Sequence, residues 1–360
     1  MTNLKIATIN VNGIRAASLS GKAALRGLGL DSFIKNEKPD IICMQELKAT
    51  RSEIVEAGIL ELLGINSDGF FMQDDQDKKG HAGVGIAVIN PNIKIISTSV
   101  PFEENQQARK VLSSGRWIEA ELDVTSFEAG AGTSSDEKNS SAKNSSGTII
   151  KKITVISAYI HHADSPTVKL KNGQLIDRKK SETTMNNKHI FMSLLSTRLK
   201  ELQAENRQFV VTGDYNIAHT ELDIKNAEGN LTKAGFLPEE RIWMDYLLLK
   251  NSAVLNKDQL KTFKYNEKID YKTPALANKI IKTEGLGLRD VFREFIGDER
   301  IYSWWTYMGR AFDNNAGWRL DYQMATPKLA DTVVDAKVSR CPSWDGRFSD
   351  HAPVVVTYNL

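Results

Sequence analysis

The stretch Phe209-Val210-Val211-Thr212-Gly213-Asp214-Tyr215-Asn216 ends an apolar, β-branched run in a carboxylate and a carboxamide two residues apart. A short run of that kind closed by Gly predicts a buried strand leaving its sheet. Asp214 can accept a proton or a hydrogen bond, and Asn216 can donate and accept together. By itself Gly-Asp-x-Asn also reads as an ordinary Asx turn. The same polar ending recurs elsewhere in the chain. Asn10 and Asn12 follow the run 4–9, where turn and site are equally good readings. Glu46 follows Ile41-Ile42-Cys43-Met44, and a carboxylate there is costly to bury unless it is paired or metal-bound. Tyr159, His161, His162 and Asp164 close the run 153–160, Asp321 sits between apolar neighbours, and Asp350-His351 precedes the terminal strand. Sites gather where sheets end. Carboxylates without thiols suit a hard cation such as Mg²⁺ or Mn²⁺. Such a cation with an imidazole and nearby amides suits phosphodiester hydrolysis, in which a carboxylate orients water. The pair His161-His162 with Asp164 reads as a polar loop rather than a zinc cluster, because no third well-spaced ligand follows.

These groups need strands to carry them. Strands are predicted over 4–9, 41–44, 69–73, 86–89, 116–124, 153–160, 209–212, 319–324 and 354–358. In 116–124, Trp117, Glu119, Glu121 and Asp123 alternate with Ile118, Ala120, Leu122 and Val124, which predicts a half-exposed strand. Helices are predicted over 183–205, over 241–250 and over 22–37, the last broken at Gly27 or Gly29 and packing through Leu25, Leu28, Leu30, Phe33 and Ile34. The 360 residues are 41% hydrophobic, enough for one large domain or two ordinary ones. A formal charge of +2 leaves only a local basic face to attract a polyanion. Two cysteines exclude a disulfide scaffold, and Cys43 reads as a small core residue. Neither a signal-peptide core nor an apolar run of membrane-spanning length is present, so a reducing compartment is expected.

Two segments stand apart. Residues 126–147 are nearly devoid of apolar side chains and read as a loop extending a hairpin. Residues 251–284 carry seven Lys against four acids and read as a solvated insertion or a nucleic-acid contact. Between Tyr302 and Trp318 aromatics concentrate near Arg310 and Arg319. Some are core, and others could stack on bases or wall a sugar pocket.

The motifs Ile9-Asn10-Val11-Asn12-Gly13-Ile14-Arg15, Gln45-Glu46-Leu47-Lys48, Gly213-Asp214-Tyr215-Asn216 with His219, Gly317-Trp318-Arg319-Leu320-Asp321-Tyr322 and Ser349-Asp350-His351-Ala352-Pro353 span almost the whole chain. In order and spacing the chain resembles the exonuclease III and abasic-site endonuclease family, within the endonuclease–exonuclease–phosphatase superfamily. The resemblance implies an α/β four-layer sandwich: two packed, mostly antiparallel mixed β-sheets flanked by helices, in a single domain over 1–360. It implies Mg²⁺ (or Mn²⁺) at Glu46, with Asn10, Asn12, Asp214, Asn216, Asp350 and His351 around it. Asp214, held by Asn216 and Asn10, resembles the group that activates water or protonates the leaving oxygen. His351, oriented by Asp321, resembles the phosphate-binding imidazole, and Tyr159 the phenol near the scissile phosphate. Trp304, Trp318 and Leu320 resemble the wall that accepts a base-less deoxyribose, and Asn12 and Arg15 belong with the substrate contacts. The implied activity is hydrolysis 5′ to abasic sites, with 3′-to-5′ exonuclease and 3′-phosphatase activity. The implied partner is double-stranded DNA with abasic sites or blocked 3′ ends, met by a cytoplasmic, nucleoid-associated monomer with no membrane. The alternative is a phosphatase or phospholipid head-group phosphodiesterase of the same fold, against which the Trp318 motif speaks. One departure stands out: the family follows its Tyr by x-Pro-Asn, whereas Tyr159 is followed by Ile160-His161-His162, so His162 takes the place of the phosphate-contacting Asn. Trp304 is also bulkier than the family's common Phe.

Overall fold

The computed structural model describes residues 3–360 apart from 76–77, 79, 103, 105, 126–149, 166–167, 171–174, 177–180, 249–268 and 271–283. In chain order the strands are β1 (Asn3–Asn10), β2 (Ile41–Gln45), β3 (Phe70–Gln73), β4 (Val84–Val88), β5 (Lys94–Ser99), β6 (Trp117–Asp123), β7 (Lys152–Tyr159), β8 (Val168–Leu170), β9 (Leu175–Ile176), β10 (Phe209–Asp214), β11 (Ile269–Asp270), β12 (Arg289–Asp290), β13 (Asp321–Ala325), β14 (Val333–Val338) and β15 (Val354–Asn359). The main helices are α1 (Lys22–Leu25), α2 (Leu30–Glu37), α3 (Arg51–Glu56), α4 (Ile59–Leu62), α5 (Gln106–Leu112), α6 (Ser181–Ala204) and α7 (Pro238–Leu248).

One six-stranded sheet runs β14-β15-β1-β2-β4-β3 and the other β12-β13-β10-β7-β6-β5. Each is antiparallel except for one central parallel pair, β1 with β2 and β7 with β10. Parallel neighbours need a crossover, and helices supply it in both sheets, α1 and α2 in the first and α6 in the second. The consequence for function is geometric. A parallel pair brings two C-terminal ends to one edge, so Asn10 lies beside Gln45 and Asp214 beside Tyr159. The antiparallel β13 starts where β10 ends, which places Asp321 opposite Asp214.

Strand side chains alternate between faces. Leu4, Ile6, Ile41 and Cys43 of the first sheet meet Val155 and Val210 of the second in one buried cluster between the sheets. The opposite face of the first sheet, with Ile9, Ile42 and Met44, is covered by Leu30, Phe33, Ile54 and Ile59 from α2, α3 and α4. That of the second, with Ile156, Phe209 and Val211, is covered by Phe191, Leu195, Trp243 and Met244 from α6 and α7. The four layers expected are therefore present.

Three expectations are corrected. The segment 22–37 breaks between Leu25 and Leu30, as expected, but Leu25 and Leu28 are exposed rather than packed, since the break turns that face outward. β6 is not half-exposed: Trp117 and Glu119 lie buried beneath α6, where Trp117 packs on Phe191 and Glu119 accepts from Arg198. The fourth strand covers Val84–Val88, two residues earlier than its apolar run suggested. The expectation for 126–147, and most of that for 251–284, falls outside the described residues. Within the latter, Ile269–Asp270 pairs with β8, which also pairs with β9, in a small third sheet. Among the described residues no helix is long and apolar enough to cross a membrane.

Candidate active site

The inward-facing positions change character along each central strand. Apolar residues give way to Thr8, Gln45, Ser157, Thr212 and Gln323, all buried. These close a polar layer across the two sheets. The Gln45 amide donates to Thr8 Oγ1 at 3.2 Å and to Ser157 Oγ at 3.1 Å, and Gln323 donates to the Ile6 carbonyl at 2.9 Å. Two residues further on, the same face presents Asn10, Tyr159 and Asp214. The layer was not expected from the sequence, although its signal is there: a polar residue two positions before Asn10, Tyr159 and Asp214.

The Asn10 carboxamide bridges the sheets, donating to Glu46 Oε1 and to Asp214 Oδ2, both at 2.9 Å. Glu46 Oε1 also accepts from the Tyr159 hydroxyl at 2.7 Å, while Oε2 lies 2.6 Å from the Lys48 ammonium. Burial pushes the Glu46 carboxyl up, but the Asn10 hydrogen bond, Lys48 and Tyr159 outweigh it and hold the group at about 2. Lys48 also donates to Asn12 Oδ1, and the Asn12 amide donates to Asp350 Oδ1 at 2.9 Å. Asp350 Oδ2 accepts from the Trp304 indole at 3.0 Å. Asn12, Glu46, Lys48 and Asn216 all adopt left-handed backbone, with φ of 49°, 52°, 51° and 51°. Such a conformation costs a side-chain-bearing residue on the order of 1–3 kcal/mol and concentrates at functional sites.

Asp214 is the most constrained group. Its Oδ1 accepts from the Asn216 backbone N–H at 2.8 Å, and its Oδ2 from Asn10 and, at 3.3 Å, from the Asn216 amide. The approach of β10 to β7 requires Gly213, since a Cβ there would lie 1.8 Å from the Ala158 carbonyl oxygen. His351 Nε2 lies 3.7 Å from Asp214 Oδ2, and its Nδ1 lies 2.8 Å from Asp321 Oδ2. Asp321 is in turn held by the Ser303 hydroxyl at 2.6 Å. Burial pushes the His351 imidazolium down, but Asp321 and Asp214 win and carry it up to about 10. Burial raises Asp214 to about 7, with His351 opposing and Asp321 assisting. Oxygens of Asp214 and Asp321 and a nitrogen of His351 lie within 4.8 Å of one another, close enough to hold a divalent metal together.

A cavity of about 960 Å³ opens over this network, lined by Glu46, Tyr159, Asp214, Asn216, Asp350 and His351 on one side. His162, Trp304, Trp318 and Leu320 form part of the rest. The indoles of Trp304 and Trp318 meet edge to face with centroids 6.3 Å apart. Asn10 and Asp321 lie behind the lining, buried. Asn12 does not line the cavity but ties Lys48 to Asp350. Arg15 stands outside it, 3.9 Å from Glu53. His161 turns inward to the Val111 carbonyl.

The order of these motifs, the two facing sheets and the cavity at their common edge agree with a single family model. The endonuclease/exonuclease/phosphatase model matches residues 7–351. The chain belongs to the endonuclease/exonuclease/phosphatase family. It is similar to the DNA repair nuclease APEX1 of Danio rerio, with 25% identity over 98% of this chain and 82% of that protein. It is also similar to an exodeoxyribonuclease of Bacillus subtilis, with 24% identity over 99% of this chain and 100% of that one. A solved AP endonuclease from Archaeoglobus fulgidus shares the fold, with a TM-score of 0.62, 23% identity and coverage of 99% of this chain and 100% of its own.

One part of the segment around Trp318 is structural. Arg319 is fully buried and donates to Asp223 and Asp290, both at 2.7 Å, pinning the loop after β10 against the strand that carries Asp321. Burial pushes the Asp223 carboxyl up, but Arg319 and Arg293 hold it well below the usual carboxylate range. Arg319→Met should leave Asp290 unpaired and Asp223 half-paired, and lower unfolding stability by about 3–5 kcal/mol in urea titration. A loss under about 1 kcal/mol would show that water relieves the network.

Proposed function

We propose that this chain is a divalent-metal-dependent DNA-repair nuclease, hydrolysing the phosphodiester 5′ to abasic sites, with 3′-to-5′ exonuclease and 3′-phosphatase activity. The observation that carries the reading is the linked set Glu46–Asn10–Asp214–His351–Asp321 at the floor of a cavity walled by Trp304, Trp318 and Leu320. The named activities of the similar proteins support it.

The donors fit a hard cation. Glu46 Oε2 and Asn12 Oδ1 converge on the Lys48 ammonium, so a positive charge already sits where these oxygens meet. Glu46 and Asp350, with the Asn10 and Asn12 amides beside them, would hold Mg²⁺ or Mn²⁺. The set Asp214, Asp321 and His351 is the poorer host, because Nδ1 of His351 is already engaged with Asp321 Oδ2 and Asp214 accepts from Asn10 and Asn216. When bound, the ion neutralises charge on the phosphate and on the leaving oxygen. The protein does the rest. Asp214 accepts the proton of the attacking water, aimed by the N–H of Asn216 and the amide of Asn10. His351 donates from Nε2 to a phosphate oxygen while Asp321 fixes its ring. Tyr159 keeps its proton, since burial and then Glu46 raise the phenol well above its usual range, and it serves as a donor. His162, at the cavity wall, contacts the phosphate in place of an amide. The indole wall receives a deoxyribose that carries no base.

The test is incision of an abasic duplex after chelation and after restoring Mg²⁺, with end-group analysis. A 3′-hydroxyl product formed only with metal is expected. A 3′-unsaturated aldehyde, or full activity without metal, would refute the mechanism, and hydrolysis of phosphoinositides or sphingomyelin alone would move the chain to lipid head-groups. Within this reading, Glu46→Ala should weaken Mg²⁺ affinity at least about tenfold by calorimetry, and activity with it. An unchanged affinity would remove Glu46 from the metal set.

A further inference from the structure

Behind the site lies a charge pair that no catalytic motif contains. Lys188 on α6 and Glu240 on α7 are fully buried and form an ion pair. The Lys188 ammonium also donates to the backbone carbonyl of Asn216 at 2.9 Å. Glu240 uses its second oxygen to accept from the N–H groups of Gly235 at 2.7 Å and Leu237 at 2.8 Å. The Lys188 cation is therefore anchored to a turn as well as to a helix. Its second contact reaches the residue that aims Asp214.

Asn216 needs such support. It sits in left-handed backbone, and from that position its N–H and its side-chain amide both reach Asp214, while the amide also donates to the Ile160 carbonyl at 2.9 Å. Without a hold on its carbonyl the residue could leave that left-handed conformation, and its N–H and side-chain amide would then move off Asp214. A fully buried ion pair is a poor device for stability, because desolvation offsets most of its attraction and packed apolar residues do as well. Direction is what it supplies: a charged donor on one carbonyl, held by a carboxylate that is itself held at two backbone points.

We propose that Lys188 and Glu240 are positioning residues for the hydrolysis, holding the backbone of Asn216 in its left-handed conformation and through it the direction of Asp214. This rests on the nuclease reading. Neither side chain touches the substrate, since both are closed off from solvent.

K188M/E240Q removes both charges at once, so neither is left buried without its counter-charge. The carboxamide introduced on α7 can still accept from the turn, but nothing reaches the Asn216 carbonyl. On an abasic duplex kcat should fall about tenfold, with KM altered less than about twofold. In an Asp214→Asn background the same pair of replacements should change kcat by less than about twofold, because the group being aimed is gone. Exchange of the Asn216 amide hydrogen should quicken at least about tenfold while β10 stays protected. Equal losses in both backgrounds, an unchanged kcat, or unchanged exchange at Asn216 would each overturn the proposal. If the parent protein leaves abasic duplexes uncut, the nuclease reading fails and amide exchange alone decides the clamp. K188Q/E240Q keeps polar contact within the pair but is too short to reach Asn216, and it carries the same expectations if the first variant does not fold.

Discussion

Replacing Asp214 by Asn is expected to lower kcat for incision about 10²- to 10⁴-fold while DNA affinity stays within about threefold. The substitution keeps the size and planarity of the group. It removes the proton acceptor, and it also turns one oxygen into a donor facing the Asn10 and Asn216 amides, which already donate to Oδ2. In the proposed mechanism the carboxylate is therefore used twice, as a base and as the acceptor that organises its neighbours. The pH dependence follows with a definite sign. Only ionised Asp214 can take the proton of water, and burial places its pKa at about 7 against the pull of His351. Turnover should climb with pH through that value and level off above it, and Asp214→Asn should show a low rate without that rising limb. Single-turnover rates across pH, with fluorescence anisotropy for DNA binding, read both quantities. A variant that keeps more than about a tenth of the parent turnover would remove Asp214 as the base.

The ends of the central strands were legible because burial leaves a plain trace there. Phe209–Val211 and Ile41–Met44 are apolar on both faces, as strands covered by helices on one side and a second sheet on the other must be. The polar residue that breaks such a run then marks the edge. Two of the edge strands leave no such trace. β5, at the rim of its sheet, and β14, at the rim of the other, are mostly exposed or half-exposed and were not expected at all. Glu119 misled in the opposite direction: a charged residue on an alternating strand reads as solvent-facing unless its partner is known, and Arg198 is supplied by a helix distant in sequence. Pairings of that kind need the fold. Asn10 and Asp214 share a hydrogen bond across 204 positions, a contact that the family resemblance implied but that neither residue's own surroundings in the sequence could reveal. The clamp of Lys188 and Glu240 was invisible for the same reason, because both residues lie on helices where charge is ordinarily solvated.

His351→Ala should slow incision about 10²- to 10³-fold, and it should also change the pH profile in a direction that a simple packing loss would not. The imidazole is bracketed by two carboxylates, Asp321 at Nδ1 and Asp214 near Nε2. That pairing carries its pKa up to about 10, so over the neutral range it is a cation with a proton at each nitrogen. One proton secures the ring to Asp321 and the other faces the cavity, where the proposed mechanism develops charge on the phosphate. Removing the ring deletes that donor. It also deletes the positive charge that opposes the upward push of burial on Asp214. With the opposition gone, the carboxyl of Asp214 holds its proton to higher pH, and the rising limb must move upward from about 7. His351→Gln separates the two effects, since it keeps a neutral donor within the pocket but restores no charge. Its rate should lie between those of Ala and the parent, and its rising limb should match that of Ala. The measurement is kcat against pH for the three proteins under single-turnover conditions. A limb that stays put in His351→Ala would mean that the imidazolium does not govern the protonation of Asp214. A downward move would mean that repulsion from Asp321, no longer bound to His351, has been relieved by a rearranged pocket and that the linked set does not act as a unit.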